Sequence, residues 1–134
     1  MLNVFPDILV YSLFAPFILR LALGFVFIRF GALALSGDRH RLVSLFSNLK
    51  VPQAALITSL LGLLEIVAGA SLILGFYTQI GALITFIISL LLLASKLSGK
   101  PFGREGALFD FLLLSVALSL FFSGAGFLAF DLPL

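Results

Sequence analysis

The chain has 134 residues, 62% of them hydrophobic and only 10% charged, with a net charge of +2. A soluble domain carries about a quarter charged residues, and one domain of this length cannot hide so much apolar surface from water, so the composition excludes a soluble globule and points to an integral membrane domain. The slight basic excess, with no basic stripe interleaved with aromatics, argues against nucleic acid as a partner, and the lack of Cys excludes disulfides, thiolate metal sites, iron–sulfur clusters and c-type haem attachment.

A spanning helix needs about 20 mostly apolar residues. No Lys or Arg precedes Arg20, so the N-terminus lacks the basic region of a cleaved signal peptide and is expected to stay on the chain. Residues 5–15 read as a short interfacial helix capped by Asp7, followed by a bend at Pro16; the rival reading is one long helix kinked there. The first span is predicted over about residues 16–35. After it, Leu42, Leu45, Phe46 and Leu49 follow one helical face and are flanked by Arg39, His40, Arg41 and Lys50, the pattern of a helix lying on the headgroups. His40 has no second ligand near it, and no metal site is expected.

The second span is predicted over about residues 54–76, and a hairpin of residues 75–79 turns it into the third, about 80–95. That third span is short, but Gln79 and Lys96 at its ends can snorkel to extend it. A polar loop over residues 97–106 leads to the fourth, about 107–122. The expected fold is therefore all-α: a four-helix transmembrane bundle forming a single domain over residues 1–134, with short interfacial helices before span one and between spans one and two.

The basic residues outside the spans are Arg39, Arg41, Lys50, Lys96, Lys100 and Arg104, all in or beside the loops after spans one and three. Positive charge marks the cytoplasmic side, so the chain is expected to be multi-pass in the cell membrane with both termini outside. Tyr11 and Tyr77 would then lie at the outer interface.

Arg20, Arg29, Glu65 and Asp110 fall inside the spans. Each costs about 2.5–3.5 kcal/mol at a helix centre on insertion scales, so each is expected to find a partner or a use. Arg29 is 13 residues from Pro16 and Glu65 is 11 from Phe76, which puts them within about 3 Å of one another in depth. Glu65, Arg29 and Asp110 are the candidate polar core, with Asp110 in reach of Arg29 or Lys96. Arg20 and Asp131 are a candidate polar pair at the outer face. Two readings stay open: ion pairs that fix helix register, or a polar site that receives a headgroup, a quinone or a proton.

Gly24 and Gly31, Gly62 and Gly69, and the strip Ser115, Ser119 and Ser123 are small residues at helical spacing, expected to let helices approach closely. Gly124-Ala125-Gly126-Phe127-Leu128-Ala129 matches a dinucleotide-binding string, but it follows a membrane helix and only five residues remain, so there is no βαβ unit to use it.

Span one reads Leu19-Arg20-Leu21-Ala22-Leu23-Gly24 with Gly31 beyond; span two ends Leu64-Glu65-Ile66-Val67-Ala68-Gly69 and then Gly75-Phe76-Tyr77-Thr78-Gln79. In these segments the chain resembles the DoxX family of small four-helix membrane proteins. Gly124-Ala125-Gly126 stands where the family usually has Gly-Pro-Gly, and the basic residue common after Gly31 is absent. The resemblance implies a redox-linked membrane role near quinone, in association with a redox enzyme; the partner expected in the bilayer is a redox protein or a second copy of the chain in a homo-oligomer. The first functional expectation is thus a membrane subunit or small-molecule-binding bundle associated with redox chemistry, not catalytic alone, with no covalently bound cofactor and quinone as its diffusible one. The alternative is a non-catalytic structural or lipid-interacting scaffold, and the third reading is a small transporter.

Overall fold

A computed structural model describes residues 14–48, 50–97 and 106–123. Among the described residues there are five α-helices and no strand: α1 (Phe14–Leu35), α2 (Arg39–Asn48), α3 (Ala54–Leu74), α4 (Thr78–Leu97) and α5 (Ala107–Ser123). By length and composition α1, α3 and α4 can each cross a membrane, while α5 is a shorter apolar helix.

Helix α1 begins two residues before the predicted start and runs through Ala15-Pro16 without a break. Pro16 is tolerated because it sits in the first turn, where a backbone N–H has no intrahelical acceptor to lose. The bend expected at Pro16 is thereby corrected; the interfacial helix expected before it falls outside the described residues apart from Phe14 and Ala15. Beyond α1 the backbone folds back, Asp38 N–H donating to Leu33 O at 2.8 Å, and Leu42 N–H then donates to Asp38 O at 3.0 Å to open α2. Leu42 is the buried residue of α2, and Arg39, His40, Arg41 and Ser44 are exposed.

Helix α3 ends at Leu74, two residues short of the predicted boundary. Gly75 takes the left-handed conformation, φ 67°, its N–H donating to Leu72 O at 3.2 Å and that of Phe76 to Ser71 O at 3.1 Å. This is a glycine C-cap that satisfies the last carbonyls of the helix. Only Gly75, Phe76 and Tyr77 separate α3 from α4, so the third span is longer at both ends than the sequence suggested, and Gln79 and Lys96 are themselves helical.

The helices close into a ring: α1 packs on α3, α3 on α4, α4 on α5, and α5 on α1, with α2 against α3 and α1. The α1–α3 contact is backbone to backbone. A Cβ on Gly24 would lie 2.6 Å from Gly69 O, and one on Gly69 would lie 2.6 Å from Gly24 O. Seven residues along, Gly31 meets Gly62 O. Glycine at these positions is what lets the two antiparallel helices approach so closely. The ring encloses Leu23, Phe27, Leu72, Ala82, Ile88, Leu113, Ala117 and Leu120. Its outside is a coat of exposed apolar side chains, among them Ile18, Phe25, Leu60, Leu91, Leu112 and Phe122, the inverse of a water-soluble surface and the surface lipid requires.

Candidate functional site

Buried polar side chains occur on all four ring helices. Arg20 on α1, Thr58 and Glu65 on α3, Thr78, Thr85 and Ser89 on α4, and Asp110 on α5 are all sequestered from the surface. The glycine contacts explain the first two acidic or basic members. Arg20 is four residues before Gly24, and Glu65 is three after Gly62 and four before Gly69. Residues three and four apart share a helix face, so each charge is carried inward with the glycines that dock its helix.

Depth follows from the same contacts. The pairs Gly24–Gly69 and Gly31–Gly62 fix the antiparallel register of α1 and α3. Arg29 then lies one residue from the level of Glu65, as the sequence suggested, but it does not share its face. Arg29 is exposed on the outside of α1, whereas Glu65 is only 4% exposed. Arg20 lies level with Ile73 and so about 12 Å from the level of Glu65, toward the N-terminal end of α1. Arg20 is fully buried, with its guanidinium 5.6 Å from the Phe17 ring centroid, an orientation suited to cation–π attraction. Asp131, proposed from sequence as its counterpart, lies outside the described residues.

Of the two partners open to Asp110, the structure selects Lys96. Its Nζ meets Asp110 Oδ2 in a salt bridge between the last turn of α4 and the first turn of α5. Lys96 is 12% exposed and Asp110 is 2% exposed. The carboxylate also sits at a helix N-terminus, where the backbone dipole favours negative charge.

The hydroxyls on α4 were missed in sequence. Thr78 and Thr85 are seven apart and Ser89 four further on, sharing the inner face with Gly81, Ala82 and Ile88. That periodicity was available, but single hydroxyls in a span cost little and do not announce themselves as charges do. Thr85 donates to Ala82 O at 2.9 Å and Thr58 to Ala54 O at 2.8 Å, both within their own helices. Ser89 Oγ is buried without a hydrogen-bond partner among the described residues. The close approach of Gly81 to Ser71, Leu72 and Ala68 sets the α3–α4 register and brings Thr85 to the level of Glu65, with Ser89 about a turn away. The interior at mid-depth thus offers a carboxyl group and hydroxyls among apolar side chains. Among the described residues no group of three or more His, Asp or Glu could hold a metal ion.

A family model described as DoxX matches residues 15–96, which is more than half the chain and runs from the first turn of α1 to Lys96. Helix α5 and Asp110 lie beyond the match. No curated protein and no solved structure matches the chain.

Proposed function

The chain belongs to the DoxX family of membrane proteins, and from that premise we propose that it is a multi-pass membrane subunit whose four-helix bundle binds a small lipid-soluble molecule, with a quinone as the favoured ligand, in association with a redox partner. The observation that carries this reading is the burial of the Glu65 carboxyl group midway along α3, on the face turned into the ring. Intramembrane ionisable groups are costly to maintain and are a functional hypothesis by default. Thr85 and the buried hydroxyl of Ser89 add hydrogen-bonding groups near the same level, and a polar group or two in an apolar pocket is what a quinone headgroup needs for orientation. The subunit supplies the binding site, and electrons come from a partner's cofactor.

The test is Glu65→Gln, which keeps shape and removes charge. Binding of a short-chain ubiquinone analogue to the purified protein in lipid nanodiscs is expected to weaken by about tenfold or more, the equivalent of one lost charge-assisted hydrogen bond, with folding retained. Unchanged affinity would sink the assignment of Glu65. A scaffold without a ligand is the second reading, favoured by the glycine-to-glycine docking of α1 and α3, which serves rigidity and needs no ligand.

In this reading α5 is the fourth span, α2 lies along the headgroups with its basic residues outward, and both termini are outside. The short α3–α4 hairpin is then external. Thr78 is buried, so the exposed Gln79 is the useful probe. Gln79→Cys is expected to react with an impermeant thiol reagent in intact cells, and Ser44→Cys to resist it until the cells are opened. The opposite labelling would invert the topology.

A further inference from the structure

Arg29 is the charge that the ring does not absorb. It projects from α1 away from the bundle, along a strip of exposed residues Ile18, Ala22, Phe25, Arg29 and Ala32 spaced at successive helical turns. Its side chain has no ion pair or hydrogen bond among the described residues. The strip lies within a helix apolar enough to span a bilayer, 15 residues from Phe14 and six from Leu35. Arg29 is therefore about 9 Å from the nearer end of α1 and about 22 Å from the other.

Snorkelling does not resolve this cheaply. The Cα–Cβ bond of a helical residue tilts toward the helix N-terminus. For Arg29 that direction is toward the far end, deeper into hydrocarbon. A guanidinium held there calls for an anion at its own depth. Ala32, one turn beyond Arg29, and Ala22, one turn before Phe25, are on the same strip and small enough to let another helix backbone approach.

We propose that this face of α1 docks a transmembrane helix of a different polypeptide, one that carries a carboxylate at the depth of Arg29. A second copy of this chain does not fit. Of the six acidic residues, Glu65 and Asp110 lie in the helices and both are buried; Asp38 lies beyond the end of α1, and Asp7, Glu105 and Asp131 lie outside the spans in sequence. A bidentate guanidinium–carboxylate pair in low dielectric gives such a contact both strength and register. The inference needs only a membrane-embedded α1 and holds whether or not the bundle binds a quinone.

A photo-crosslinking residue at Phe25, one turn from Arg29, in the full-length chain in its native membranes tests this. The expected adduct is to a transmembrane segment of another protein that contains Asp or Glu. It should fall about tenfold with Arg29→Gln and return when Arg29→Glu is combined with an acid-to-Arg change in that segment. Because Arg29 is exposed, Arg29→Gln should unfold at the wild-type temperature, which separates lost docking from lost folding. Adducts only to lipid, adducts only to a second copy, a segment without a carboxylate, or an adduct indifferent to Arg29→Gln would each overturn the proposal.

Discussion

Lys96→Met is expected to destabilise the protein by about 3–5 kcal/mol, the cost of stranding one partner of a buried ion pair. Asp110→Asn is expected to cost clearly less, although it removes the same pair. The asymmetry comes from reach and exposure. Asp110 is 2% exposed on a short side chain and cannot leave its site, so without Lys96 its charge is stranded. Lys96 is 12% exposed in the last turn of α4 and has a long flexible stem. Freed from Asp110, its ammonium group can swing to the headgroups. Combining Lys96→Met with Asp110→Asn should recover much of the loss, because no charge is then left stranded in the site. Equilibrium unfolding in mixed detergent micelles gives all three values. Equal losses in the single variants would overturn the predicted asymmetry, and additive losses in the double would show that the α4–α5 contact does not depend on this pair.

The second large effect is expected at the α1–α3 seam. Gly31→Ala should cost about 3 kcal/mol, at the upper end of overpacking penalties, and Gly31→Leu should prevent folding. A Cβ at Gly31 would collide with Gly62 O, approach Ile66 Cγ1 to 2.6 Å and approach Ile66 N to 2.9 Å. Two of those three atoms are backbone, so relief requires moving a helix rather than a rotamer. Gly24→Ala should behave similarly, since Gly69 O and Ile73 Cγ1 lie at 2.6 and 2.7 Å from its Cβ position. Gly37→Ala is the control: its Cβ would meet only Leu33 Cδ2, at 3.4 Å, and it should unfold at the wild-type temperature. A Gly31→Ala variant as stable as Gly37→Ala would mean that α1 and α3 are not packed as described.

The helices were legible because hydrophobic runs in a membrane protein are long and their interruptions are sharp. Their ends were less so: Phe76 is as apolar as any residue of the second span, and only the left-handed Gly75 explains why the helix stops before it. The candidate site was legible in depth but not in direction. Counting residues along α1 and α3 brought Arg29 and Glu65 to one level, and the register agrees. Depth says nothing about azimuth, however. At about 100° per residue, Arg29 is turned about 140° from Gly24 and about 160° from Gly31, while Arg20 is turned only about 40° from Gly24. The glycine spacing therefore carried the information that Arg20 faces inward and Arg29 outward. The selection of Lys96 by Asp110 was open in sequence, because it depends on how α5 sits against α4 and not on either helix alone.

In the function proposed above, the buried Glu65 carboxyl group belongs to a ligand site and is not only a device for helix register. Native mass spectrometry of the full-length chain, extracted with its surrounding lipids into nanodiscs, measures this most directly. The wild-type protein should carry an adduct of the mass of an isoprenoid quinone that survives removal of the lipid, and Glu65→Gln should lose it while unfolding normally. A wild-type protein without such an adduct, or a Glu65→Gln variant that retains it at the same occupancy, would rule out Glu65 as part of a quinone site.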